Sequence, residues 1–121
     1  MTQTQDHRIY DLEDRTFEFA RRCRALVKRL PRTIANTEDG RQLINASGSV
    51  GANYTEANEA ISKKDFVHRI KICRKESKES RFWLRLLEAG DDKWVESERR
   101  SLEQEATELL KIFNSIAHKS E

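Results

Sequence analysis

Apolar residues recur along the chain at alternating spacings of three and four, the period of a single helix face. One stripe runs Leu12, Thr16, Phe19, Cys23, Leu26 and Leu30, widened by Ala20 and Val27. A second runs Leu43, Ser47, Val50, Tyr54, Ala57 and Ile61, and a third Phe66, Ile70, Cys73, Ser77, Ser80, Leu84 and Leu87. The fourth is Val95, Arg99, Leu102, Ala106, Leu109, Phe113 and Ile116. Asp11, with Asp14 three residues on, is expected to cap the first helix, and the ring of Pro31 to end it. Ser62 to Asp65 reads as an approximate capping box for the third helix, Gly90 as its stop and Asp92 as the cap of the fourth. Four helices joined by short connections predict an all-α, antiparallel up-down four-helix bundle over residues 10–118. Residues 1–9 and 119–121 are expected to be flexible ends.

Composition agrees with one small helical domain. The chain has 121 residues, of which 36% are hydrophobic and 36% charged, with 4 Gly and 1 Pro. So little Gly and Pro cannot punctuate a many-stranded β fold, which needs a turn roughly every 8–12 residues. No secretory apolar segment follows Met1, and no apolar run approaches the roughly 18–20 residues of a membrane span, so a cytoplasmic protein is expected. Cys23 and Cys73 are too few and too far apart for a disulfide framework or a zinc site. Both fall on apolar stripes, where buried structural thiols are expected.

Two features do not belong to the seams. Ala46 to Ala52 is a tract of small residues with Gly48 and Gly51 inside the second helix. Interior glycines suit either close helix packing or a ligand that approaches bare backbone. Phe17, Ile72, Phe82, Trp83 and Leu86 lie beside the core stripes, and one narrow core cannot cover apolar groups all round a helix. Aromatic residues dominate interface cores, so these five are the candidate oligomer interface.

Charge changes the picture further. The total is only +2. Residues 62–87, however, hold nine Lys and Arg against three Asp and Glu, whereas residues 88–121 hold five against nine. Lys64, His68, Lys71, Arg74, Lys78, Arg81 and Arg85 share one face about 100° from the third seam. Such a stripe can follow a phosphate backbone and release its counterions. Lys71, Arg74, Lys78, Arg81 and Arg85 are therefore the candidate nucleic-acid contacts, with Arg21, Arg22, Arg24, Lys28 and Arg29 of the first helix adding to the basic surface. The competing reading is a solvated face whose like-charge i,i+4 pairs are offset by the acidic fourth helix of the same or a neighbouring subunit.

Catalytic chemistry is not evident. Asp65-x-x-His68 is the sole approximation to the Glu-x-x-His unit of a carboxylate-bridged di-iron bundle, and His7 and His118 have no carboxylate three residues earlier. Glu56, Glu59, Glu76 and Glu79 suit salt bridges or hydration better than acid–base work. No phosphate loop or activated nucleophile is visible. The expectation is no enzyme, cofactor, metal or catalytic residue, and no membrane partner.

Pro31, Gln42-Leu43, the run Ser49 to Ala57, Lys64-Asp65-Phe66, and Lys75-Glu76 through Phe82-Trp83-Leu84 together resemble the bacterial four-helix bundle family named for the 23S rRNA intervening sequence. The resemblance covers roughly residues 10–118. It implies a left-handed up-down bundle, a ring-like homopentamer, and no attached enzymatic activity. The chain is also distantly similar to the accessory variability determinant of diversity-generating retroelements, a basic pentamer implicated in contacting nucleic acid. Asn45 stands where the family usually has Arg, removing a cation beside the small-residue tract. Ser77 and Ser80 replace the expected Ala and Thr, which makes the third seam more polar. Two functions follow as expectations: an RNA- or DNA-binding scaffold using the third helix, or a protein–protein adaptor that binds no nucleic acid.

Overall fold

Three of the four helices begin at a side chain that takes over a backbone hydrogen bond. Thr33 accepts from the Asn36 N–H, Ser62 from the Asp65 N–H and Asp92 from the Val95 N–H, so each satisfies a donor the first turn leaves unpaired. The computed structural model describes the backbone of residues 3–121 and side chains from Leu12 onward. Met1 and Thr2, within the expected flexible N-terminus, lie outside the described residues. The elements are α1 (Gln3–Arg29), α2 (Ile34–Asn58), α3 (Lys63–Leu86) and α4 (Lys93–Ser120), with no strand among the described residues.

Pro31 ends α1 as expected. Its start is different: α1 runs back to Gln3, so Asp11 lies inside the helix and does not cap it. Residues 3–11 contain no Gly or Pro, and an interior Asp costs only a few tenths of a kcal/mol. Residues 119 and 120 continue α4 to Ser120. Gly90 lies in the α3–α4 connection rather than at the end of α3, whose C-cap is Leu87. Its φ of +62° is open to glycine at low cost, and a Cβ there would meet Pro31 Cγ at 3.2 Å.

The seams meet in one core, with Phe19, Leu26, Leu43, Ile70, Leu84, Leu102, Leu109 and Phe113 fully buried. Four seam positions depart from the expected pattern: Ile61 is exposed, and Phe66, Arg99 and Ile116 are only half-buried. Ile61 is 97% exposed, because α2 closes with tight bonds from the Glu59 and Ala60 N–H groups to Glu56 and Ala57 and turns the chain away. In α4 the last buried position is Ala117, with Ile116 only half-buried, since a straight helix of period 3.6 drifts from a strict heptad. Two buried hydroxyls are satisfied locally. Thr16 Oγ1 donates to the Leu12 carbonyl at 2.8 Å, and Ser77 Oγ to the Cys73 carbonyl at 2.8 Å. Ser80 Oγ is buried without a partner among the described residues.

Each helix packs on its neighbours in the cyclic order α1, α2, α3, α4, and of these adjacent pairs α1 and α4 pack the most loosely. Gly51 lets α2 approach α1: a Cβ there would meet Thr16 Oγ1 at 3.0 Å and Thr16 Cβ at 3.3 Å. That close contact offsets a helix cost of about 1 kcal/mol for an interior glycine. The wider α1–α4 seam is bridged by three arginines at near-heptad spacing. Arg15 binds Glu105, Arg22 binds Glu98 and Arg29 binds Asp92, at 2.7, 2.9 and 2.8 Å. Each arginine donates through both Nε and Nη2, the fork geometry that gives specificity as well as energy. Arg29 also lies 4.8 Å over the Trp94 ring.

These pairs predict an acid-sensitive bundle. The Arg29 guanidinium and the Val95 N–H hold the Asp92 carboxyl below its usual range. Arg99 and Arg100 hold Glu96 down at about 2. Carboxylates whose pKa is lower in the folded chain stabilise it above their unfolded values, and that contribution disappears as pH falls through the folded values. The melting temperature should therefore fall between the ordinary carboxylate value of 4.5 and about 2. Circular dichroism melts across that window check it. The Glu96→Gln variant should show a shallower fall, and an identical fall would show that Glu96 contributes nothing.

Candidate nucleic-acid interface

The α3 stripe lies on the side of its core seam that faces α4. Arg74 Nη1 donates to Asn114 Oδ1 at 3.2 Å, Lys71 Nζ is 3.3 Å from Glu121, and Arg85 Nε is 4.0 Å from Glu103. Lys78 and Arg81, at the centre, make no hydrogen bond or ion pair with any described residue. At 1.5 Å per residue the stripe from Lys71 to Arg85 is about 21 Å long. Beyond it Lys63, Lys64, His68 and Lys71 border an open hollow of about 570 Å³ at the end of the bundle. The cationic surface thus continues onto the first turn of α3, where the helix dipole adds to its attraction for anions.

The acidic α4 does little to neutralise this face. Its Asp92 cap, Glu98 and Glu105 clasp α1, while Glu96 holds Arg99 and Arg100, and Glu108 contacts Lys111. Only Glu103 and the terminal Glu121 reach the α3 cations, and Glu103 is shared with Arg99. The first helix contributes less basic surface than expected. Arg21 is held by Glu18, Arg22 by Glu98 and Arg29 by Asp92, which leaves Arg24 and Lys28 without a carboxylate partner among the described residues.

The five apolar positions beside the seams divide in two. Phe17, Phe82 and Leu86 are 67%, 53% and 45% exposed. Ile72 is half-buried, and Trp83 packs against the core with its ring edge-on to Phe82, centroids 5.0 Å apart. Both cysteines are buried, and burial pushes each thiol up to about 12, far from the range of a reactive thiolate. Burial and the neighbouring Glu79 raise the Glu76 carboxyl. Among the described residues no three His, Cys, Asp or Glu side chains converge as metal ligands. No helix among them is long and apolar enough to cross a membrane.

Sequence reasoning missed Asn36. It is 2% exposed and joins two connections: Nδ2 donates to the carbonyls of Pro31 and Glu88 at 3.0 and 2.9 Å, and Oδ1 accepts from the Glu88 N–H at 3.0 Å. It also missed the α1–α4 ladder, although Arg15, Arg22 and Arg29 repeat every seven residues.

Together these features define an all-α four-helix protein with one cationic helix face. The chain belongs to the 23S rRNA-intervening sequence protein family, whose family model matches residues 9–115. It is similar to a protein with unknown function from the S23 ribosomal protein family of Bacteroides thetaiotaomicron, known from a crystal structure at 1.70 Å resolution. The two are 30% identical with a TM-score of 0.72, over 87% of this chain and 96% of the other. Among curated proteins, none matches.

Proposed function

We propose that the chain is a non-catalytic, cytoplasmic, up-down four-helix bundle that assembles into a ring-like homo-oligomer and binds RNA or DNA along the basic face of α3. The observation that carries this reading is the unpaired centre of the stripe. Among the described residues Lys78 and Arg81 lack partners, beside a helix rich in carboxylates most of which are engaged elsewhere. A stripe evolved only for solvation would gain from nearby acids, because like charges at i,i+4 spacing are mildly destabilising. The pairs Lys71–Lys75, Arg74–Lys78 and Arg81–Arg85 repeat that arrangement along α3. A polyanion removes the repulsion and gains entropy from released counterions.

Phe17, Phe82 and Leu86, with the exposed parts of Ile72 and Trp83, support assembly. A ring of five copies is the stoichiometry drawn from the family resemblance. The distant likeness to the accessory variability determinant agrees with a basic oligomer that contacts nucleic acid.

The test is absorbance during purification at low salt, with and without nuclease. Without nuclease the 260/280 nm ratio of the protein fraction should be raised, and nuclease should lower it. A ratio that nuclease leaves unchanged, together with a stoichiometric protein partner in pull-downs, would replace this reading with that of a protein–protein adaptor.

A further inference from the structure

The start of α3 carries charge of the wrong sign for a helix start. Lys63 and Lys64 open the helix, where the dipole favours acids and repels cations, and Asp65 is the one carboxylate in that turn. His68 and Lys71 follow Lys64 at spacings of four and three, on the same side of the helix. The side chains of Lys63, Lys64 and His68 make no hydrogen bond or ion pair with any described residue. Folding alone gives no reason for two lysines here, since both would suit the opposite end of a helix.

These four side chains line one open hollow of about 570 Å³ between the start of α3 and the end of α4. Val67 gives it an apolar wall, and Ser120 and Glu121 border it from α4. Glu121 is the one carboxylate among the lining residues, and it seats an anion of the protein's own at the hollow: its Oε2 lies 3.3 Å from Lys71 Nζ. The carbonyl end of α4 adds negative potential at the rim, yet Lys63, Lys64 and His68 still line the space without a counter-charge. Charge density sets the hollow apart from the rest of the stripe. Beyond Lys71 the cations follow at about one per turn, which suits the singly charged phosphates inside a strand. At the hollow several gather round one space. A phosphate monoester, with a charge of about −1.5 to −2 at pH 7 and three acceptor oxygens, matches that concentration.

We propose that the hollow is an end site, which takes the terminal phosphate monoester of a nucleic-acid strand whose following phosphates run along α3. Lys63 and Lys64 hold its oxygens, His68 donates a further hydrogen bond, and Lys71 exchanges Glu121 for it. Val67 borders the terminal sugar. The inference rests on the nucleic-acid reading above and adds that the protein distinguishes a phosphorylated strand end from the strand's interior.

The test compares otherwise identical duplexes that end in a 5′-phosphate, a 3′-phosphate or hydroxyls only, by fluorescence anisotropy at fixed salt. At least one phosphorylated duplex should bind wild type about tenfold more tightly than the hydroxyl duplex, the gain from about one further neutralised phosphate at 0.1 M salt. Which end is preferred gives the direction of the strand along α3. In the Lys63→Gln, Lys64→Gln double variant that ratio should fall to about one, whereas a general loss of positive charge lowers both affinities alike and keeps it. The substitutions remove cations from a helix start, so the variant stays folded, which circular dichroism checks. Equal affinities of wild type for all the duplexes, or a double variant that keeps the preference, overturn the end site while binding along α3 stands. A wild type that binds no duplex overturns both.

Discussion

Replacing Lys71, Arg74, Lys78 and Arg81 together by Glu should abolish nucleic-acid binding while leaving the bundle folded. Each cation that neutralises a duplex phosphate adds about 0.9 to the slope of log affinity against log salt, so four contacts supply about three to four decades of affinity at 0.1 M salt. Removing them should lower affinity by about a thousandfold, and the reversed charge adds repulsion. Stability should hardly change. The Lys71–Glu121 contact is exposed, and such pairs contribute about 0–1 kcal/mol. Arg74 loses a single exposed bond to Asn114, the substitution turns the Lys71–Lys75 and Arg81–Arg85 repulsions into attractions, and positions 74 and 78 stay like-charged. Fluorescence anisotropy with a labelled duplex and a thermal melt of the same samples check both halves. Retained affinity in the folded variant would place binding elsewhere on the molecule.

Asn36→Leu, in the first turn of α2, should be the single substitution most damaging to the two connections that Asn36 ties together. Removing the amide leaves the Pro31 carbonyl and both the N–H and carbonyl of Glu88 without that partner, at a site where Asn36 itself is almost fully buried. Unsatisfied backbone groups cost about 1–3 kcal/mol each when buried. The connections are partly open to water, so a total of about 2–4 kcal/mol is expected. For a chain of this size that lowers the melting temperature by roughly 8–15 °C. A melt within a degree or two of wild type would show that the two connections hold their shape without the Asn36 amide.

The four seams were legible because burial acts on side chains at a fixed helical period, and Leu43, Val50, Ile70, Leu84, Leu102 and Leu109 all reach the core. Ser62, Asp92 and Pro31 act where local chemistry places them. The misplaced positions lie at ends and connections. Ile61 fits the period but follows the last turn of α2, and Asp11 has a capping side chain but no break before it. Asn36 could not be read locally. Its partners Pro31 and Glu88 meet only when the α1–α2 and α3–α4 connections lie side by side.

The candidate interface was legible as a row of cations but not in its electrostatic setting. Counting signs along α4 suggested that its acids would offset α3. Their actual partners depend on how α4 is rotated, and Glu98 and Glu105 turn to Arg22 and Arg15. That rotation leaves Lys78 and Arg81 unpaired among the described residues and removes Arg22 and Arg29 from the basic surface. Gly48 and Gly51 belonged to one tract in the sequence, yet Thr16 explains only Gly51.

The most direct measurement is the salt dependence of duplex binding by the wild-type protein, beside a Lys78→Gln variant. Binding along the α3 stripe predicts a steep linear fall of log affinity with log salt, and a slope smaller by about one for each cation removed. A wild-type affinity that does not respond to salt, or a Lys78→Gln slope identical to wild type, would contradict it.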